Sequence, residues 1–414
     1  MSQRSRRQRG GKIASGIILR VAVAGAGAFG RNHLRVYREL EDAGLGVALV
    51  GAVEPDPARA TEAESKYSIP VYSSIEQLLT ADLKLNAATV AVPTVHHHAV
   101  ASALLDAGLD LLVEKPLAAS LSEADDLIAR AQKGNRILQP GHLERFNPAV
   151  LAVEHKIKRP MFFEAHRLSI FTPRALDVDV VLDLMIHDLD IVLTFANSTV
   201  REVRAVGLPI LSPKVDIANV RVEFESGCVA NFTASRVSTE RVRKLRFFEP
   251  RQYVSIDYAR RDVLVIRIDE AAADGAGASP LPAQAATEFL TTGKLDAAVI
   301  QKLLASGQIP AATLMQIMVA KNDPEKLKEI AKSLGGTHDG PAPGLSFVKP
   351  EVTPGEPLRL EILSFLDSVR TRQAPKVTAR QGRAALELAL EIQTSMAAHA
   401  ERAGLKDFFQ PATA

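Results

Sequence analysis

Short apolar runs alternate with amphipathic segments along residues 17–140. The first run, 18–24, is β-branched and of strand length, and the next segment, 31–43, carries Leu34, Tyr37 and Leu40 at helical spacing. Further strands are expected at 47–53, 71–72, 87–92, 111–114 and 136–139. Helices are expected from residue 74, at 96–107 and at 122–132. This alternation predicts an α/β fold with a doubly wound parallel sheet, helices on both faces.

At Gly141 the pattern changes. After a helix expected at 149–157, segments 162–168, 202–208, 218–224, 228–235, 245–248, 253–257 and 263–268 follow, several alternating polar with apolar. Such alternation predicts an α+β domain on an open, mostly antiparallel sheet with one wet face. Residues 271–350 read as an irregular insertion holding helical segments 295–304 and 324–334, the second opened by Asp323-Pro324. Two Leu- and Ala-rich amphipathic helices, 357–370 and 379–403, follow. The expected organisation is a basic tail (1–16, disordered), a nucleotide-binding domain (17–140) and a substrate and oligomerisation domain (141–414), with a catalytic crevice between the two.

Composition narrows the classes. A 414-residue chain that is 47% hydrophobic has material for about two cores. The formal charge of +2 comes from the tail, where Arg4, Arg6, Arg7, Arg9 and Lys12 meet no acid. The remainder is slightly acidic, which argues against a nucleic-acid surface. The tail lacks the apolar centre of a secretory signal, and Asp183, His187, Asp188 and Asp190 interrupt the apolar run 180–196, which excludes it as a membrane span. One cysteine, Cys228, allows no internal disulfide. These features point to the cytoplasm. The open sheet calls for a covering partner, a homo-oligomer of two or four copies.

The chemistry begins at Gly25-x-Gly27-x-x-Gly30, set between the first strand and the first helix. There the glycines, with Ala28 and Phe29, let backbone approach a pyrophosphate at a helix start, the Rossmann arrangement. Glu54, closing the second strand, is placed to accept hydrogen bonds from an adenosine ribose, so the cofactor is NAD. Glu114-Lys115-Pro116 ends a later strand, and Pro116 disfavours helical backbone at Lys115. Oxidising a secondary alcohol requires a proton acceptor and a group that stabilises the developing alkoxide, and Lys115 suits both. In a helix, Asp183 and His187 share a face with Asp190 beyond. Joined by His142 or His166 they are also a conceivable metal set, but the expectation is no metal, since a nicotinamide supplies the electron sink. Of His96, His97 and His98, one is expected at the cofactor pocket.

Together with Val92-Pro93-Thr94 and His97, these motifs resemble the glucose-fructose oxidoreductase, inositol dehydrogenase and rhizopine-catabolism (Gfo/Idh/MocA) superfamily over 17–268 and the last sixty residues. The resemblance implies a catalytic lysine and histidine at Lys115 and His187, with Asp183 beside them, and cofactor contacts from Pro93, Thr94, His97 and Glu114. Segments 141–148, 164–167, 183–188 and 234–237 resemble more narrowly the branch of bacterial NAD-dependent UDP-N-acetylglucosamine 3-dehydrogenases of lipid A precursor synthesis. That implies a UDP-sugar substrate. Arg145, Arg167, Arg174 and Arg236 are then candidate diphosphate ligands, guanidinium being suited to bidentate phosphate contact. Asn147 and His166 complete the candidate substrate set. Three alternatives stay open: a free sugar or cyclitol dehydrogenase, a cofactor-binding regulator, and a hydrolase that uses NAD transiently.

Overall fold

A computed structural model describes residues 17–172, 178–268 and 345–405. The basic tail, Arg174, both helical segments of the insertion and the final residues lie outside them. One compact unit comprises the described residues of Met1–Phe247, Ser255–Val263 and Glu351–Ala414, and a second those of Phe248–Val254 and Leu264–Pro350. The boundary expected at 140/141 thus falls inside the first unit.

The first sheet is six-stranded, from β1 (Leu19–Ala24), β2 (Val47–Val53), β3 (Val71–Tyr72), β4 (Ala87–Val90), β5 (Asp110–Glu114) and β6 (Leu138–Gly141). Its order is β3-β2-β1-β4-β5-β6, and every pairing is parallel. Strand order reverses between β1 and β4, the point where doubly wound sheets bind ligands beyond their carboxyl ends. Helices α1 (Gly30–Asp42), α2 (Pro57–Tyr67), α3 (Ile75–Thr80), α4 (His97–Asp106) and α5 (Leu121–Lys133) connect the strands. β4 stops at Val90, ahead of the Val92-Pro93 turn. β6 runs through Pro140, where the sequence suggests a stop, because it is an edge strand and has no neighbour to miss the proline N–H.

The helix expected at 149–157 is instead a single turn, α6 (Pro148–Leu151), capped by Asn147, followed by a 3₁₀ turn at Glu154–Lys156. Then come β7 (Phe162–Leu168), a π-helical turn at Val181–Met185, α7 (Ile186–Ala196), β8 (Val200–Leu208), β9 (Ile217–Phe224), β10 (Val229–Ser235) and β11 (Val242–Glu249). Within the first unit these strands form a second sheet in the order β11-β7-β10-β9-β8. β10 lies parallel to β7 and antiparallel to β9, which is antiparallel to β8. Strand burial alternates. On β7, Phe163, Ala165 and Arg167 face the buried side, and Glu164 and His166 face the other. Past β12 (Gln252–Asp257), the Leu264–Ile268 stretch of β13 (Asp262–Ile268) pairs antiparallel with β14 (Leu345–Val348) in the second unit.

The last two helices, α8 (Pro357–Thr371) and α9 (Ala379–Arg402), return to the first unit. Leu358, Ile362, Phe365, Leu366 and Val369 of α8 share one buried core with Leu19, Val21, Leu34 and Leu40. α9 opens on a capping box, Thr378 with Gln381, and lies along α7 and β8. Gly207 on β8 permits this, since a Cβ there would stand 2.4 Å from Met396 Sδ.

Candidate active site

The glycine loop sits at the reversal of strand order. Gly25 has φ +96°, and a Cβ on it would lie 2.6 Å from the Ala91 carbonyl oxygen. On Gly30 a Cβ would lie 1.9 Å from the Gly25 oxygen, so the third glycine serves close packing of α1 on β1. At Gly27 nothing comes nearer than 4.0 Å, which leaves its backbone open to a ligand. Ala28 and Phe29 complete the turn, and no side chain caps α1. Arg31 N and Asn32 N already donate to the Gly27 and Phe29 oxygens at 3.0 and 2.9 Å, so it is the open backbone of the turn at Gly27, ahead of them, that fits the pyrophosphate of a dinucleotide. Glu54 is buried and occupied: its carboxylate accepts from Ala26 N at 2.9 Å and Asp56 N at 3.1 Å and pairs with Arg59 at 3.2 Å. It clamps the loop, and Arg59 partly neutralises its charge.

Pro93 and Thr94 enter a short 3₁₀ turn that leads into α4. His97 is buried. Its ring nitrogens lie 2.8 Å from the Pro116 oxygen and 2.9 Å from the Val92 oxygen, tying the end of β4 to the turn after β5. Burial pushes this imidazole below its ordinary pKa, against the pull of both carbonyls. His98 pairs with Asp126 at 2.7 Å. Glu114 likewise faces inward, toward His33 of α1 at 2.7 Å, a partner that the sequence reading passed over. A polar residue three positions after Gly30, on the buried side of an amphipathic helix, was the available signal.

Lys115 follows β5 across a cis peptide to Pro116. Its Nζ donates to the Asp183 carbonyl oxygen at 2.7 Å and approaches the Leu182 oxygen at 3.4 Å, with the Asp183 carboxylate at 4.0 Å. The π-helical turn presents these carbonyls outward. It also changes the spacing assumed for Asp183 and His187. No hydrogen bond joins them, and His187 Nδ1 has no partner among the described residues. Burial lowers the Lys115 pKa and the charge of Arg167 adds to this, while Asp183 and Glu114 oppose it. His187 is held well below its ordinary value by burial first, then by Lys115, Arg167, His142 and Arg243. At neutral pH it is an uncharged imidazole beside a lysine inclined to release its proton.

Three of the four candidate diphosphate ligands, those within the described residues, are engaged elsewhere. Arg167 Nε and Nη2 donate to Asp188 at 2.6 and 3.0 Å and Nη1 to Glu144 at 3.0 Å, under the Tyr258 ring. Arg145 pairs with Asp190 at 3.5 Å and bonds Thr194; Arg236 pairs with Asp216 at 3.2 Å and donates to the Val178 and Val215 oxygens. All three are buried, with 3–5% of their surface exposed, and serve the fold. Asn147 donates to Glu144 and to the Tyr258 oxygen while capping α6, and His166 lies on the sheet face opposite Arg167. Beneath the site, Glu361 of α8 is fully buried, with neither carboxylate oxygen hydrogen-bonded among the described residues. Burial, with Glu114 and Asp190 adding repulsion, holds its pKa well above the ordinary 4.5.

Comparison with known proteins places this arrangement. Residues 19–142 match the family described as "Oxidoreductase family, NAD-binding Rossmann fold", and residues 149–250 match the GFO/IDH/MocA C-terminal domain. The chain belongs to the GFO/IDH/MocA oxidoreductase family; it is a dehydrogenase and its cofactor is NAD. The UDP-N-acetylglucosamine 3-dehydrogenase of Acidithiobacillus ferrooxidans is 36% identical over 243 residues, 58% of this chain and 75% of that protein. An inositol 2-dehydrogenase of Acidothermus cellulolyticus is 27% identical over 195 residues, 45% of this chain and 56% of that one. A solved structure of the Acidithiobacillus UDP-N-acetylglucosamine 3-dehydrogenase superposes with TM-score 0.70 at 26% identity, covering 92% of this chain and 98% of the other. Among the described residues no helix is long and apolar enough to cross a membrane.

Proposed function

We propose that the chain oxidises the 3-hydroxyl of a UDP-activated N-acetylhexosamine, UDP-N-acetylglucosamine foremost. The observation that carries this is the likeness to the Acidithiobacillus enzyme across three quarters of that protein, joined to a lysine held at 2.7 Å by the Asp183 carbonyl.

When bound, NAD accepts the hydride that leaves the sugar carbon. Lys115, with its proton affinity lowered by burial, takes the hydroxyl proton as the C–H bond breaks and the carbonyl forms. Its resulting positive charge stabilises the oxygen while that oxygen still carries negative charge. His187, uncharged, offers a ring nitrogen that orients the same hydroxyl, and the proton taken by Lys115 passes to solvent when the product leaves. Asp183 steadies the ammonium through its carbonyl and its carboxylate. The product is a 3-keto sugar nucleotide, an electrophile suited to transamination.

The reading is tested by incubating the protein with NAD and a panel of UDP sugars, free sugars and inositols while following absorbance of the reduced cofactor. UDP-N-acetylglucosamine turned over in preference to free N-acetylglucosamine and inositol is the expected result. Equal turnover of inositol would move the chain to the cyclitol reading, as its likeness to inositol dehydrogenases allows. The polar outer face of the second sheet, with Asn219 and Arg221 exposed, is where a second copy would lie, and light scattering reads the subunit number.

A further inference from the structure

Arginine on the inner face of the second sheet is of two kinds. Phe163 of β7 packs on Phe247 of β11 with ring centroids 5.6 Å apart, and Glu164 of β7 pairs with Arg246 of β11 at 2.8 Å. As one strand advances the other retreats, so the two are antiparallel, and the same register sets Arg167 across from Arg243. Side-chain alternation puts Arg243 on the face of Leu245 and Phe247, both buried, and away from that of Arg246. Its backbone oxygen accepts from Tyr258 N at 3.0 Å, which fixes the strand there. Two guanidinium groups opposite one another repel. Arg167 is neutralised by Asp188 and Glu144. The Arg243 side chain is exposed and its guanidinium has no hydrogen bond or ion pair among the described residues, while its charge reaches His187. Arg241, also exposed, adds a further positive charge on the approach.

We infer that Arg243 is the anchor for the diphosphate of the substrate: it takes the anionic groups at the exposed rim of the inner face, and so sets where the sugar ring meets Lys115 and His187. A guanidinium without a protein acceptor offers bidentate donors to a phosphate at no cost of breaking an internal pair. The inference rests on the proposed sugar-nucleotide substrate and names the residue that recognises it. Binding energy from this remote contact orients the ring without taking part in proton transfer.

The test compares the full-length wild type with Arg243→Ala and Arg243→Lys. UDP binding is measured by calorimetry, and KM and kcat are measured for UDP-N-acetylglucosamine. Arg243→Ala is expected to weaken UDP binding and raise KM by about 10- to 100-fold, with uridine binding and the KM for NAD unchanged and Arg243→Lys between the two. Unchanged UDP affinity in Arg243→Ala overturns the inference, as does an equal loss of uridine affinity, which would signal general damage. A wild type that does not oxidise the sugar nucleotide defeats the substrate reading alone, because UDP affinity still decides the role of Arg243. A wild type that binds no UDP defeats the anchor.

Discussion

The carboxyl edge of the first sheet and the inner face of the second both supply charged side chains to one site, yet they do so on different physical terms. At the first, backbone geometry is the functional element: Gly25 needs its positive φ, Gly30 its missing Cβ, and Lys115 is steadied by two carbonyl oxygens. At the second, Arg167 is buried in ion pairs, as are Arg145 and Arg236 nearby, whereas the exposed Arg243 side chain has no such pair among the described residues. A motif that acts through backbone constraint carries its meaning locally. An arginine acquires its role only from whichever carboxylate the fold brings to it.

The sharpest way to break that comparison is Arg167→Ala. If Arg167 serves the fold, its loss strands Asp188 and Glu144 in the interior and costs about 3–5 kcal/mol of stability. A denaturation midpoint close to wild type, with substrate KM greatly raised, would return Arg167 to the substrate.

Lys115→Ala should act oppositely, lowering turnover by at least ~10²-fold with the denaturation midpoint little changed. Wild-type kcat/KM should rise with pH until the ammonium has lost its proton, and level off below the ordinary lysine pKa of 10.5. The direction follows from chemistry: only the free amine accepts the hydroxyl proton. Lys115→Ala should lose that limb of the pH profile, and its persistence would assign the proton to another group.

Glu361→Gln sharpens the contrast from beneath. Burial raises the pKa of the acid in the fold well above the 4.5 of the unfolded chain, so between the two values the folded state binds more protons and stability falls as pH rises. The amide has no such dependence. The variant should gain on the order of 1 kcal/mol relative to wild type at pH 8 compared with pH 5, as read from urea midpoints at both.

The smallest effect concerns cofactor choice. Glu54 should favour NAD over NADP by roughly fivefold, the effect of about 1 kcal/mol of charge repulsion, because Arg59 at 3.2 Å offsets it. Removing Arg59 should widen the ratio of the two kcat/KM values. A ratio of one in wild type would take Glu54 out of that selection.

Much of the first sheet was legible because strands and helices there follow hydrophobic period, and because the glycines mark a turn that no other residue makes. β6 was misplaced by two residues, since whether Pro140 ends a strand depends on its being at the edge, a fact of topology. The π-helical turn at Val181–Met185 was hidden as well, as four-residue spacing reads as one helical face whether or not the helix is regular. That error created the expected Asp183–His187 contact. Arg241, Arg243, Lys244 and Arg246 stand close together in sequence, and only register, which assigns each to a face, separates Arg243 from Arg246.

The place of α8 in the first core has a consequence for how the chain is made. Arg370 donates to the Leu45 carbonyl across 325 positions, and Arg372 pairs with Asp110 across 262. While the ribosome is still reading the middle of the message, the nucleotide-binding sheet is already outside yet lacks the helix that covers Leu19 and Leu34. Completion waits for α8 to emerge, and during that interval an apolar surface is open to chaperones and to aggregation. A helix made late therefore commits a sheet made much earlier to the native state.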